Sequence, residues 1–166
     1  MSGSARRGVV ASIALVVLVW TVIVAIVFLI WVYRAMAVAR GLLPSLTISP
    51  GWAVGWFFVP IASLWMPYGV MSEIVDGSGI SAPAYAQQTR PLIGWWWACW
   101  IGRGVVGTLS GFMGVTENGI AILTNGQVVL LVVSSVIGIG AAVLLATIIR
   151  RVIRMQASAV DAGIFA

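Results

Sequence analysis

Trp52-Ala53-Val54-Gly55-Trp56-Phe57-Phe58-Val59-Pro60-Ile61-Ala62-Ser63-Leu64-Trp65-Met66-Pro67-Tyr68-Gly69-Val70-Met71-Ser72 is the stretch that decides the fold. It carries no charge and matches the roughly 20 residues that cross a bilayer as a helix, yet Pro60 and Pro67 stand inside it. Each proline removes a backbone donor and clashes with the carbonyl four residues earlier. The segment is therefore expected to be a kinked or broken second span, with its freed carbonyls bonded to neighbours or water. Broken helices of transporters form binding sites in this way, but usually with a paired break in a second half. Here only Gly138 and Gly140 interrupt the last span, so a two-proline kink used for packing is the expectation.

Outward from this stretch, the chain continues in the same composition. Of 166 residues, 61% are hydrophobic and 8% charged, against about 45–50% and about 25% in a soluble domain. That balance excludes a water-soluble fold. Charge-free runs cover residues 8 to 33, 41 to 72 and 118 to 149. The expected architecture is all-α, a four-helix transmembrane bundle with a proline-kinked second span. One membrane domain covers 1–155, with spans at about 9–33, 52–72, 91–113 and 127–149, and 156–166 form a short flexible tail. Pro91 is expected to open the third span, a position where proline is favoured. The N-terminus imitates a secretory signal, with Arg6 and Arg7 before an apolar stretch and Ala35-Met36-Ala37 after it. A signal h-region runs about 7–15 residues, far less than this one, so the first span is expected to stay uncleaved.

Histidine and lysine are both absent, which removes histidine metal sites, Ser-His-Asp triads, lysine Schiff bases and P-loop phosphate binding. The four carboxylates stand in different segments and form no metal cluster. No cofactor, no metal and no enzymatic activity are expected. Cys99, the single cysteine, reads as a small buried apolar residue. The net charge of +5 is nine arginines against four carboxylates, and eight of the arginines stand at the ends of apolar segments. They form no basic stripe interleaved with aromatics, so the partner they indicate is the lipid bilayer and not a nucleic acid. Four spans would group Arg6, Arg7, Arg90, Arg150, Arg151 and Arg154 on one face and Arg34 and Arg40 on the other. The positive-inside rule then makes both termini cytoplasmic.

The ninth arginine, Arg103, interrupts the third span near its middle. Such a residue usually faces a bundle interior or a wet cavity. Counting inward from one face brings Trp20, Thr21, Ser63 and Gly138 to a similar depth, with no carboxylate among them. These define a candidate polar centre in which Arg103 is held by Ser63, by carbonyls freed at Pro60 and Pro67, by water and by the face of Trp20. The competing reading is an arginine that snorkels to an interface. Gly51 with Gly55 and Gly107 with Gly111 have the spacing of close-packed membrane helices, at a frequency that chance explains.

The run from Ser49 to Ile74, with Pro50, Gly51, Trp52, Trp56, Trp65, Tyr68 and Glu73 as its markers, resembles the bacterial domain-of-unknown-function 4328 family. Members often have asparagine where Ser63 stands. The resemblance implies a multi-pass protein of the bacterial cytoplasmic (inner) membrane and supplies no activity. The expected role is a non-enzymatic interaction or accessory subunit of a membrane complex, with a membrane-protein partner or a homo-oligomer. The alternative is a small oligomeric transporter or channel with Arg103 at its centre.

Overall fold

The structure is a computed structural model that describes residues 3–113, 115–117, 120–122 and 124–163. Five α-helices dominate it: α1 Gly3–Leu42, α2 Pro50–Gly55, α3 Met66–Ser78, α4 Pro83–Phe112 and α5 Asn125–Asp161. A single 3-10 turn covers Ala62–Leu64, and a two-stranded antiparallel hairpin, β1 Val115–Glu117 with β2 Ile120–Ile122, joins α4 to α5. Two helical stretches, Ala11–Leu42 and Asn125–Asp161, are long and apolar enough to cross a membrane.

The long helices keep their polar side chains quiet by bonding them back to the backbone. Thr21, Thr108, Ser135 and Thr147 each donate to the carbonyl four residues earlier, which removes a hydroxyl's need for water in an apolar setting. Thr124 caps α5 by accepting from the backbone N–H of Gln127, so Asn125 and Gly126 belong to the helix and not to the preceding loop. Pro83 occupies the first turn of α4, which places Pro91 inside that helix instead of at its start.

The segment expected as a kinked or broken span over 52–72 is broken into two α-helices, joined by a link that contains the 3-10 turn. Ser49 caps α2 by accepting from Trp52 N–H, and Pro50 takes the first helical position. The helix stops after Gly55, Pro60 lies in the link, and Pro67 sits in the first turn of α3. There the missing N–H would have had no intrahelical partner in any case. The two prolines thus delimit separate helices.

The contacts fix the direction of every element. Gln156 of α5 donates to Ala35 O of α1 at 3.1 Å and to Ser78 Oγ of α3 at 2.9 Å. Ser81 donates to Met155 O, and Arg151 to Gln88 O. The last turns of α1, α3 and α5 and the first turns of α4 therefore share one end of the molecule, so α1 and α5 run parallel. Residues 46 to 78 leave that end and return to it. Leu46 and Ala39 both lie against Gly77, Phe57 stands edge-on to Phe28 at 5.6 Å, and α3 then descends alongside α1. At 1.5 Å per residue the excursion reaches about 16 Å.

The hairpin groups the arginines differently from the expected arrangement. Because 52–72 turns back, Arg34 and Arg40 fall at the same end as Arg90, Arg150, Arg151 and Arg154, and the two ends of the described chain lie at opposite ends of the bundle. The expected tail from residue 156 is also helical up to Asp161, with Ala159 buried; residues 164–166 lie outside the described residues.

The buried core lies mostly at the shared end, with Ala62, Ala141 and Ser110 buried beyond it. At that end it includes Val32, Met36 and Ala39 of α1, Val70, Met71, Ile74 and Val75 of α3, Ile93 and Trp96 of α4, and Ile148, Val152, Met155 and Ala159 of α5. By contrast, every residue of α1 from 11 to 27 is exposed. An apolar surface of that extent is one that water would reject, while the arginine-bearing end hides its apolar side chains as a soluble protein does.

Candidate functional site

Above the core, α1 stands apart from the closely paired α4 and α5, and the tip of the α2–α3 hairpin rises into the gap. The result is a laterally open cavity of ≈ 490 Å³. Thr21, Val24, Ala25, Phe28 and Leu29 of α1 form one wall; Trp96, Trp100 and Arg103 of α4, with Gly138, Ala141, Ala142 and Leu145 of α5, form the other. Phe57, Phe58 and Pro67 close its floor. The lining is apolar except for the guanidinium of Arg103 and the hydroxyl of Thr21, which is already engaged with Val17 O at 2.8 Å.

Arg103 is exposed to this space and to a second one. The second cavity, ≈ 560 Å³, lies on the other side of the arginine between Leu64, Trp100, Gly104, Thr108 and Ser134. Among the described residues Arg103 has no hydrogen-bond or ion-pair partner; the ion pair that is present, Arg90 with Asp76 at 2.7 Å, lies at the core end. Gly138 makes room for the arginine. A Cβ added there would sit 3.0 Å from both Cδ and Nε of Arg103, so the side chain lies against the backbone of α5.

Of the expected polar centre, Arg103, Thr21 and Gly138 do line one cavity. Ser63 does not join them: its hydroxyl donates to Pro60 O at 2.8 Å, inside its own turn. Trp20 is 67% exposed and is not among the residues that line the cavity. The reason is the reversal at 56–65, which holds Ser63 in a tight turn instead of on a continuous helix facing α4. Phe28, Phe57 and Phe58 are the lining residues that the spacing of polar groups could not reveal. The signal for them was the pair of prolines, read as ends of helices and not as kinks.

The residues that mark the family resemblance fall on the hairpin. Trp52 and Trp56 stack at 4.8 Å between centroids on its ascending limb. Trp65 precedes α3, and Tyr68 meets the edge of Trp97 at 6.3 Å. Glu73 closes the base, where one carboxylate oxygen accepts from Ile48 N–H at 2.9 Å and the other from the Thr47 hydroxyl. Gly51, Gly107 and Gly111 face open space, and Gly55 meets the side chain of its own neighbour Trp52, so neither glycine pair mediates a helix contact within the chain. Close approaches are made instead by Gly77, against Ala39, and by Gly79, against Ala86.

Chemically, the site offers one strong cation and a long apolar wall. No group of three or more His, Cys, Asp or Glu residues able to hold a metal ion occurs among the described residues. Cys99 is half-buried and unoxidised. A family model described as Domain of unknown function (DUF4328) matches residues 1–154. No curated protein and no solved structure matches the chain.

Proposed function

Because the chain belongs to the family described as Domain of unknown function (DUF4328), we propose its role from its geometry: an integral membrane protein acting as a non-enzymatic interaction or accessory subunit. In this reading α1, α4 and α5 cross the bilayer, and the α2–α3 hairpin enters from the arginine-rich end and leaves on the same side. A re-entrant segment of this kind is tolerated where its irregular backbone is covered by protein. Six arginines at one end against Arg6 and Arg7 at the other support, by the positive-inside rule, a cytoplasmic C-terminus with the N-terminus across the membrane.

The observation that carries the role is the unpartnered length of α1. Its final third packs into the core, while residues 11 to 27 stay exposed. In lipid, helix association gains little from apolar burial and depends on packing and on polar contacts, so a helix left uncovered by its own chain is free to pack against another. A photo-crosslinking residue at Ile13, Val16 or Trp20, in native membranes, tests this. A specific crosslinked protein is expected. Crosslinks to a second copy alone favour the oligomeric transporter with Arg103 at its centre, and lipid adducts alone overturn the interaction role.

A further inference from the structure

The cavity beside Arg103 has a polarity that neither the family nor the interaction role explains. Its one cation stands at the end farthest from the core. From there the lining runs from Thr21 to Leu29 along α1 and from Gly138 to Leu145 along α5, toward the floor made by Phe57 and Phe58. Eight residues of α1 correspond to about 12 Å. The second cavity extends the other way from the same arginine, past Gly104 and Thr108 toward the outer end of α4. A charged group can thus reach the guanidinium from the outer interface, with an apolar chain continuing inward. The volume of ≈ 490 Å³ falls within the about 300–1,000 Å³ typical of small-molecule sites.

We propose that this cavity holds an anionic phospholipid from the leaflet opposite the arginine-rich end, its phosphate on Arg103 and one acyl chain between α1 and α5. The inference rests on the three-crossing arrangement proposed above. Charge complementarity selects the ligand: an arginine at this depth is costly unless paired, and none of Glu73, Asp76 and Asp161 bonds to it. The planar guanidinium presents donors in a fork that matches phosphate oxygens. Gly138 contributes by leaving the space that Arg103 occupies against α5.

The test is native mass spectrometry of the full chain in detergent with phosphatidylglycerol or phosphatidylcholine of identical acyl chains. The expected result is one retained phosphatidylglycerol, favoured about tenfold over phosphatidylcholine, the scale of a charge-assisted contact. Arg103→Leu abolishes the preference and Arg103→Lys keeps part of it. Gly138→Leu, which fills the space while keeping the charge, weakens it too and serves if Arg103→Leu does not fold. Replacing Arg150, Arg151 and Arg154 together with glutamine leaves the retained lipid in place, since those residues lie at the other end.

Equal retention of the two lipids, an unchanged preference in Arg103→Leu, loss of the lipid in the triple variant, or stronger binding of oleate than of phosphatidylglycerol overturns the proposal. Cysteine labelling of the two ends of the α2–α3 hairpin separates this from failure of the underlying arrangement. Labelling from opposite sides sinks the three-crossing reading, whereas labelling from one side with no lipid preference sinks the lipid site alone.

Discussion

Gln156, near the end of α5, donates its side-chain amide to the backbone carbonyl of Ala35, near the end of α1. Two helices joined near their final turns run in the same direction, and with α4 returning between them the segment from 46 to 78 leaves their shared end and comes back to it. The same amide bonds Ser78 Oγ at the end of α3, so a single side chain ties together three helices that all finish at the arginine-rich end.

The first prediction concerns sidedness. In a Cys99→Ala background, single cysteines at Ser45 and Ile80 bracket the hairpin and are both exposed, as is Met113 at the far end of α4. A membrane-impermeant maleimide should label positions 45 and 80 from the same face of sealed vesicles and position 113 from the other. If positions 45 and 80 label from opposite faces, residues 52–72 cross the bilayer and the parallel arrangement of α1 and α5 is wrong.

Two glycines of α3 should respond in opposite ways to alanine. A Cβ at Gly77 would lie 2.8 Å from Cβ and O of Ala39 and from a methyl of Leu46; the backbone oxygen cannot yield, so Gly77→Ala should destabilise by about 1–3 kcal/mol. Gly69 faces open space, and Gly69→Ala should be neutral or stabilising by up to about 1 kcal/mol. Unfolding in detergent followed by circular dichroism measures both; equal effects would show that α3 does not press on α1 at Gly77.

The prolines supply a third test. In a kinked helix, Pro60→Ala and Pro67→Ala would restore backbone hydrogen bonds and straighten the span. Here Pro60 stands in the link and Pro67 in the first turn of α3, where no bond is missing. Each substitution should instead cost about 0.4–1 kcal/mol through the added freedom of the unfolded chain. A clear gain in stability or in helix content on replacing both would favour a continuous helix over 52–72.

Much of this was legible in the sequence. Charge-free length gave α1 and α5, and counting residues inward brought Arg103, Thr21 and Gly138 to the same cavity. Hydropathy does not decide the path of 52–72. A 21-residue apolar segment with prolines at 60 and 67 satisfies the length rule whether it crosses a bilayer or doubles back, and the contact of Glu73 with Ile48 brings its two ends together. Because 52–72 turns back, Arg34 and Arg40, and not Arg6 and Arg7, share an end with the arginines near the C-terminus. Ser63 is held in a tight turn by its bond to Pro60 O and Trp20 is not among the cavity lining, because depth along a helix does not say which way a side chain faces.

The last prediction addresses what holds the hairpin shut. Glu73 accepts from Ile48 N–H at 2.9 Å and from the Thr47 hydroxyl, joining the entry of the ascending limb to the descending helix. Removing it leaves a partly buried N–H unpaired, so Glu73→Ala should cost about 1–3 kcal/mol. Glu73→Gln keeps one acceptor oxygen and should lose less, while Thr47→Val removes only the hydroxyl contact and should cost about 0.5–1.5 kcal/mol. Because both contacts act through one carboxylate, Thr47→Val in the Glu73→Ala background should add almost nothing, a non-additivity that a double-mutant cycle measures directly. Hydrogen exchange localises the effect: protection should fall at Ile48 and the residues around it, and stay unchanged at Val152 and Met155. If Glu73→Ala leaves stability and exchange as they were, the hairpin is closed by the apolar packing of Leu46 and Ile74 alone, and the carboxylate at its base has some other task.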